Sequence, residues 1–268
     1  MTSAHQHVRV EGTVVRIAIS TAANGTSLSP RAIEAGTAAL NRLDPTVRAV
    51  VLVGDGANFC SGGDVRGFAT APNRGAFVAE MARDLHAFVR AVVASPVPVV
   101  AAVHGWAAGA GMSIALHADV ALGDASTKLR PAYPSIGFTP DGGMSWLLPR
   151  IVGVARAREI LLTDSVLGAD EAVKLGLLSR LVPLGEVYAE AMRVAQSLTT
   201  GPSSTYHGIR RLLAHSPDRS LSEHLDAEAD AISAAAVSPD GIEGVDAFVA
   251  KRPAVFRTVE RHERQSNR

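Results

Sequence analysis

Apolar residues along the chain form two kinds of pattern. Three short runs, Val14 to Ile19, Ala49 to Val53 and Val97 to Val103, read as strands. The second and third are apolar almost throughout, as expected when both faces of a strand are covered. Between the first two lies SPRAIEAGTAALNRL, with Ile33, Leu40 and Leu43 near one helical face. Ser29 is placed to cap that helix and Pro30 suits its first turn. Arg74 to Val93 also reads as helix, ending before Pro96. A helix opening near Ala110 and a short strand around Val120 to Leu122 follow the third run. Strand and helix alternate, which predicts an α/β fold with crossover connections.

The second half changes character. Val154 to Leu162, Ala169 to Leu175 and Val187 to Leu198 have helical spacing. After Gly201-Pro202 every sizeable segment is helical: Ser204 to Ala214, Leu221 to Ala236 and Gly241 to Lys251. We therefore divide the chain near residue 200, into a core over 1–200 and a helical region over 201–268, whose tail from Arg257 is polar. There is no low-complexity linker and no repeat of fixed period.

Composition narrows the function classes. The chain has 268 residues, 47% hydrophobic and 19% charged, enough to bury a sizeable core. Aromatic residues are only 4%, so that core is aliphatic. Lys plus Arg and Asp plus Glu are 26 each; a zero net charge gives no long-range attraction for nucleic acid or anionic lipid. Cys60 is the single cysteine, which excludes an intrachain disulfide framework and a cysteine-based zinc site, and fits a reducing, cytoplasmic setting. The opening MTSAHQHVRVEG has no apolar core of a secretory leader. The uncharged stretch Val97 to Leu116 has the length of a membrane span. Pro96 and Pro98 at its front and Gly105, Gly109 and Gly111 within it predict a buried strand, a glycine turn and a buried helix instead.

Two glycine-rich turns follow strands: Asn58-Phe59-Cys60-Ser61-Gly62-Gly63-Asp64 and Gly105-Trp106-Ala107-Ala108-Gly109-Ala110-Gly111. Glycines allow close backbone approach, and a helix start leaves N–H groups unpaired. Two such turns side by side could aim two main-chain donors at one oxygen, although spacing alone favours two tight turns with no ligand. Neither cluster is a dinucleotide fingerprint, since Ile114 stands where the third glycine belongs, and the chain has no P-loop, no G-x-S-x-G elbow and no H-E-x-x-H. His5 and His7 are expected to be solvated near the terminus, and His104 and His117 to be structural.

At these turns the sequence resembles the enoyl-CoA hydratase/isomerase (crotonase) family. The likeness is carried by SLSPRAIEAGTAALNRLDPTVRAVVLVGDGANFCSGGDV, PVPVVAAVHGWAAGAGMSIALHADVALGDAS, IGFTPDGGMSWLLPRIVG and GIEGVDAFVAKRPAVF, in the family's order and spacing. The resemblance implies a spiral of ββα units, a C-terminal helical region used for assembly into homotrimers or hexamers, and an acyl-CoA thioester as substrate, with neither metal nor cofactor. It places the backbone N–H groups of Ser61 and Ala110 on the thioester oxygen. Gly62, Gly63, Asp64, Gly109, Ser113 and Tyr133 are then expected at the substrate, with the CoA adenine along residues 61 to 65. Asp64 and Asp119 both lie in family blocks, where their carboxylates read as structural. Ser113 and Tyr133 stand where the family's hydratases carry glutamates, and a neutral hydroxyl is a poor general base near neutral pH. Asp141, in TPDGG, matches the carboxylate that related isomerases and an aryl-CoA dehalogenase use as base or nucleophile; its competing reading is a helix cap. Arg66 and Lys251 are the candidates for the CoA phosphates. Three readings follow: a double-bond isomerase with Asp141 as base, a hydratase, or a non-catalytic acyl-CoA binder.

Overall fold

The computed structural model describes residues 7–256. The larger sheet contains β1 (Val8–Glu11), β2 (Val14–Thr21), β3 (Ala49–Asp55), β4 (Val99–Val103), β6 (Val120–Gly123) and β9 (Arg180–Leu181), side by side in that order. Only the β1–β2 pair is antiparallel. The smaller sheet contains β5 (Trp106–Ala108), β7 (Lys128–Arg130) and β8 (Leu167–Gly168), in that order. The helices are α1 (Pro30–Asn41), α2 (Val65–Thr70), α3 (Arg74–Ala94), α4 (Ala110–Leu116), α5 (Met144–Val152), α6 (Val154–Thr163), α7 (Ala169–Lys174), α8 (Val187–Thr199), α9 (Ser203–His215), α10 (Leu221–Ala236) and α11 (Pro239–Val249).

The chain is a spiral of ββα units. A turn of it runs from a long strand of the larger sheet to a short strand of the smaller sheet and then to a helix, as in β4–β5–α4. In the preceding unit, which starts with β3, a single parallel bridge from Cys60 to Ala107 takes the place of the short strand. This is the α/β architecture expected from the sequence.

Both faces of the larger sheet are covered, which explains the unbroken apolar runs. Alternate residues of each strand face opposite ways. Val15, Ile17 and Ile19 join Leu52, Val99 and Ala101 in one core with Ile33 and Leu40 of α1 and Leu85, Phe88 and Val92 of α3. Val14, Ala18, Val51, Val100 and Leu122 face the other way, against Val187, Ala191 and Met192 of α8. Ser29 caps α1 as expected, its hydroxyl accepting the Ala32 amide, with Pro30 at the first position.

The stretch from 97 to 116 divides into β4, β5 and α4, and no helix among the described residues is long and apolar enough to cross a membrane. His7 is a correction: it is 6% exposed rather than solvated, and burial pulls its pKa down. His5 and the tail from Arg257 lie outside the described residues.

Beyond residue 200 the helices lie on the core through buried cations. The Arg210 guanidinium pairs with Asp119 and donates to the Val92 and Ser95 carbonyls at 2.7 and 3.1 Å, closing the C-terminal end of α3. Burial pushes its pKa down to about 10, so it stays charged near neutrality. Arg48 donates to the Gly201 carbonyl at 2.9 Å. Leu213, Leu221, Leu225, Ile232 and Phe248 of α9 to α11 are exposed.

Candidate active site

The two glycine turns are tied side by side. The Cys60 amide donates to the Trp106 carbonyl and the Ala108 amide donates to the Cys60 carbonyl, each at 2.9 Å. The approach is close enough to need glycine: a Cβ on Gly111 would stand 2.5 Å from the Cys60 carbonyl oxygen.

One expected donor is occupied. The Ser61 amide donates to the Thr26 carbonyl at 2.9 Å, so it is not free to bind a ligand oxygen. The same segment takes the next carbonyl, because the Leu28 amide donates to Gly62 O at 2.7 Å. None of the described peptide bonds is cis, and in a trans peptide the N–H points opposite to the C=O. The Cys60 carbonyl points towards Ala108, and the Ser61 amide on the same plane points the other way, to Thr26. The Gly62 carbonyl also points to the Thr26–Leu28 side. The Gly63 amide therefore points back towards Ala108, Gly109 and Ala110. Ala110 is the first residue of α4, and the Gly109 carbonyl accepts the Ser113 amide along the helix at 3.0 Å. The Ala110 amide accordingly points out of the helix start. Among the described residues, neither the Gly63 nor the Ala110 amide has a hydrogen-bond acceptor. In the first turn it is therefore the Gly63 amide, not that of Ser61, that is left without an acceptor.

Asp141 lies ahead of α5, whose cap position is Gly143; no side chain caps that helix. The capping role is thus excluded. Instead the Tyr133 hydroxyl donates to Asp141 Oδ1 at 2.6 Å. Burial first, and then the Asp141 charge and this bond, push the Tyr133 phenol well above its ordinary range, so it remains a donor. The fully buried Ser113 hydroxyl donates to the Asp141 carbonyl at 3.0 Å and lies 3.4 Å from the Tyr133 hydroxyl. The Gly142 amide donates to His86 Nε2 at 3.1 Å, and His117 Nε2 lies 3.0 Å from the Gly142 carbonyl, where it donates. Burial holds the His117 pKa below its usual value, so it donates as the neutral ring.

These parts meet at a cavity of about 780 Å³. Ser61, Gly62, Gly63, Gly109, Ala110, Tyr133 and Asp141 line it. Two residues expected at the substrate do not. Asp64 caps α2, its carboxylate accepting the Arg66 amide at 3.1 Å. Ser113 stands behind the wall, holding the Asp141 main chain. The rest of the wall is mostly apolar, with Leu28, Val78, Met81 and Leu85 beside Phe68 and Phe138, whose rings stack at 5.9 Å.

Sequence reasoning missed three contributors. Arg74, at the start of α3, lines the cavity where Arg66 does not. His86, inside α3, reaches the Asp141 loop, and its spacing gave no signal of this. Thr26, at φ 64°, turns the chain so that its carbonyl takes the Ser61 amide.

Residues 9–259 match the family model described as enoyl-CoA hydratase/isomerase. The chain is 38% identical over 221 residues to a Rhodobacter capsulatus protein named "Probable enoyl-CoA hydratase", covering 82% of this chain and 85% of that one. It is 35% identical over 218 residues to the 1,2-epoxyphenylacetyl-CoA isomerase of Escherichia coli, covering 80% and 82%. The crystal structure of an enoyl-CoA hydratase from Polaromonas sp. JS666 superposes with a TM-score of 0.87 at 32% identity, over 93% of this chain and 98% of that one. On the fold, the paired turns and these matches together, the chain belongs to the enoyl-CoA hydratase/isomerase family.

Proposed function

We propose that this protein shifts a double bond in an enoyl-CoA thioester, with Asp141 as the base and the amides of Gly63 and Ala110 as the donors to the thioester oxygen. The observation that carries the reading is the carboxylate of Asp141 on the cavity wall. The two positions that hold glutamates in the family's hydratases carry Ser113 and Tyr133, and both of these bond to Asp141.

Two main-chain donors on the carbonyl oxygen stabilise negative charge that develops there in the transition state more than in the ground state. In a 3-enoyl thioester, Asp141 takes a proton from carbon 2. The electron pair spreads over the thioester oxygen and carbons 2 to 4. Asp141 then returns the proton to carbon 4, leaving the double bond between carbons 2 and 3. No electron leaves the acyl chain, so the reaction calls for no redox cofactor, and the donors supply what a Lewis acid would. The apolar wall excludes water that would otherwise quench the delocalised anion. The exposed apolar side chains of α9 to α11 support assembly as a homotrimer or hexamer.

The test is product analysis after incubation with 2-enoyl-, 3-enoyl- and dienoyl-CoA, for the native protein and for Asp141→Asn. A moved double bond, reduced about 10²- to 10⁴-fold in the variant with CoA binding kept, is expected from the loss of a general base. Formation of hydroxyacyl-CoA, or undiminished turnover by Asp141→Asn, would overturn the proposal.

A further inference from the structure

The peptide plane between Asp141 and Gly142 is held at both ends. Its carbonyl accepts the Ser113 hydroxyl at 3.0 Å and its amide donates to His86 Nε2 at 3.1 Å. The next carbonyl, that of Gly142, faces His117 Nε2 at 3.0 Å. These three contacts come from three places: α4, the middle of α3, and the residue that ends α4. They converge on a stretch with little intrinsic preference for its shape. Gly142 and Gly143 follow Asp141 at φ 60° and 79°. Two successive glycines in the left-handed region can leave it at little steric cost. Rotation of the 141–142 plane would swing the Asp141 main chain and with it the carboxylate.

From this geometry we infer that His86 is a positioning residue for Asp141, acting through the Gly142 amide and not on the substrate. His86 does not line the cavity, and the nitrogen that faces the site is already used as an acceptor. That role fixes the ring: Nε2 carries the lone pair and Nδ1 the proton. His117 has the opposite tautomer, with its proton on Nε2 towards the Gly142 carbonyl. One imidazole takes the amide of Gly142 and the other supplies its carbonyl, so neither ring can stand in for the other.

His86 also links the acid to the cavity wall. Val78, Met81, Ala82 and Leu85 line the cavity from α3, and His86 is the residue after Leu85 on that helix. A displacement of α3 by a bulky acyl group therefore reaches the base through this hydrogen bond and through Leu85, whose side chain lies beside Gly142.

The inference rests on the reading of Asp141 as the base. The experiment compares His86→Leu with His86→Gln, measured alongside Asp141→Asn on the thioester panel. Leucine keeps the bulk of the side chain and removes the acceptor; glutamine keeps an acceptor oxygen near the place of Nε2. Misplacement of a reacting group by about 1 Å costs on the order of 10²-fold, so His86→Leu should lose roughly 10- to 100-fold in kcat with KM changed by less than about threefold. His86→Gln should recover most of that loss. Both are assayed below their thermal midpoints, so that unfolding does not enter kcat. Equal kcat in the two variants, or a loss carried wholly by KM, would overturn the positioning role while leaving Asp141 as base. Undiminished turnover by Asp141→Asn would overturn the reading beneath it.

Discussion

Replacing Tyr133 by Phe removes one oxygen and tests the electrostatics of the site directly. The phenol is 7% exposed and donates to Asp141 Oδ1 at 2.6 Å. No neighbour can take its place, because the Ser113 hydroxyl is committed to the Asp141 carbonyl. A hydrogen bond to a charged group contributes about 1.5–3 kcal/mol. Each step of about 1.36 kcal/mol is tenfold in rate. On the proposed function the carboxylate loses the contact that fixes its Oδ1, and misplacing a reacting group by about 1 Å costs on the order of 10²-fold. Tyr133→Phe should therefore lower kcat/KM by roughly 10- to 100-fold at a fixed pH near neutrality. The rate is followed by the ultraviolet absorbance of the conjugated enoyl thioester, with native and variant protein both held below their thermal midpoints. A kcat/KM that stays at the native value would refute the reading that Tyr133 holds Asp141 for the reaction.

Two further outcomes are expected. Gly111→Ala should destabilise the protein by about 1–3 kcal/mol, since the new methyl meets a carbonyl oxygen at 2.5 Å and main chain cannot swing aside; chemical denaturation within about 0.5 kcal/mol of the native protein would contradict the close approach of the two turns. Burial raises the pKa of Asp164, but hydrogen bonds from Arg130 and the Ala132 amide and the Arg130 charge outweigh it and hold the carboxyl below its usual range. A depressed folded pKa gives stability that is present above the ordinary carboxylate pKa and lost as pH falls through the folded value. Asp164→Asn should therefore flatten the acid side of a plot of Tm against pH, and parallel curves for the two proteins would show the pair to be irrelevant.

The long elements were legible because their patterns are long. The 21 residues of α3 and the 16 of α10 run through several turns, and the boundaries read for α10 coincide with those observed. Strands of two or three residues, such as β5, β7, β8 and β9, hold too few positions for a period to show, and their pairing is decided by partners far away in the chain. Asp141, Tyr133 and Ala110 could be picked out because family blocks fix their places. The donor in the first turn was misassigned to Ser61 because a main-chain role leaves no mark on side-chain identity. Only the carbonyl of Thr26 reveals which amide is free. His86 was missed for a related reason: it serves the site by accepting from a glycine amide more than fifty positions away.

The sewing of residues 26 to 28 onto the first turn has a consequence for how this enzyme can change. Because Leu28 anchors one edge of the Gly62–Gly63 plane, the direction of the Gly63 amide is set by chain path and not by any side chain of the turn. What remains variable is the location of the acid. Ser113, Tyr133 and Asp141 are bonded neighbours, but only Tyr133 and Asp141 face the cavity. On the proposed function, moving the carboxylate from one of these two berths to the other would redirect the chemistry while the thioester stays gripped as before.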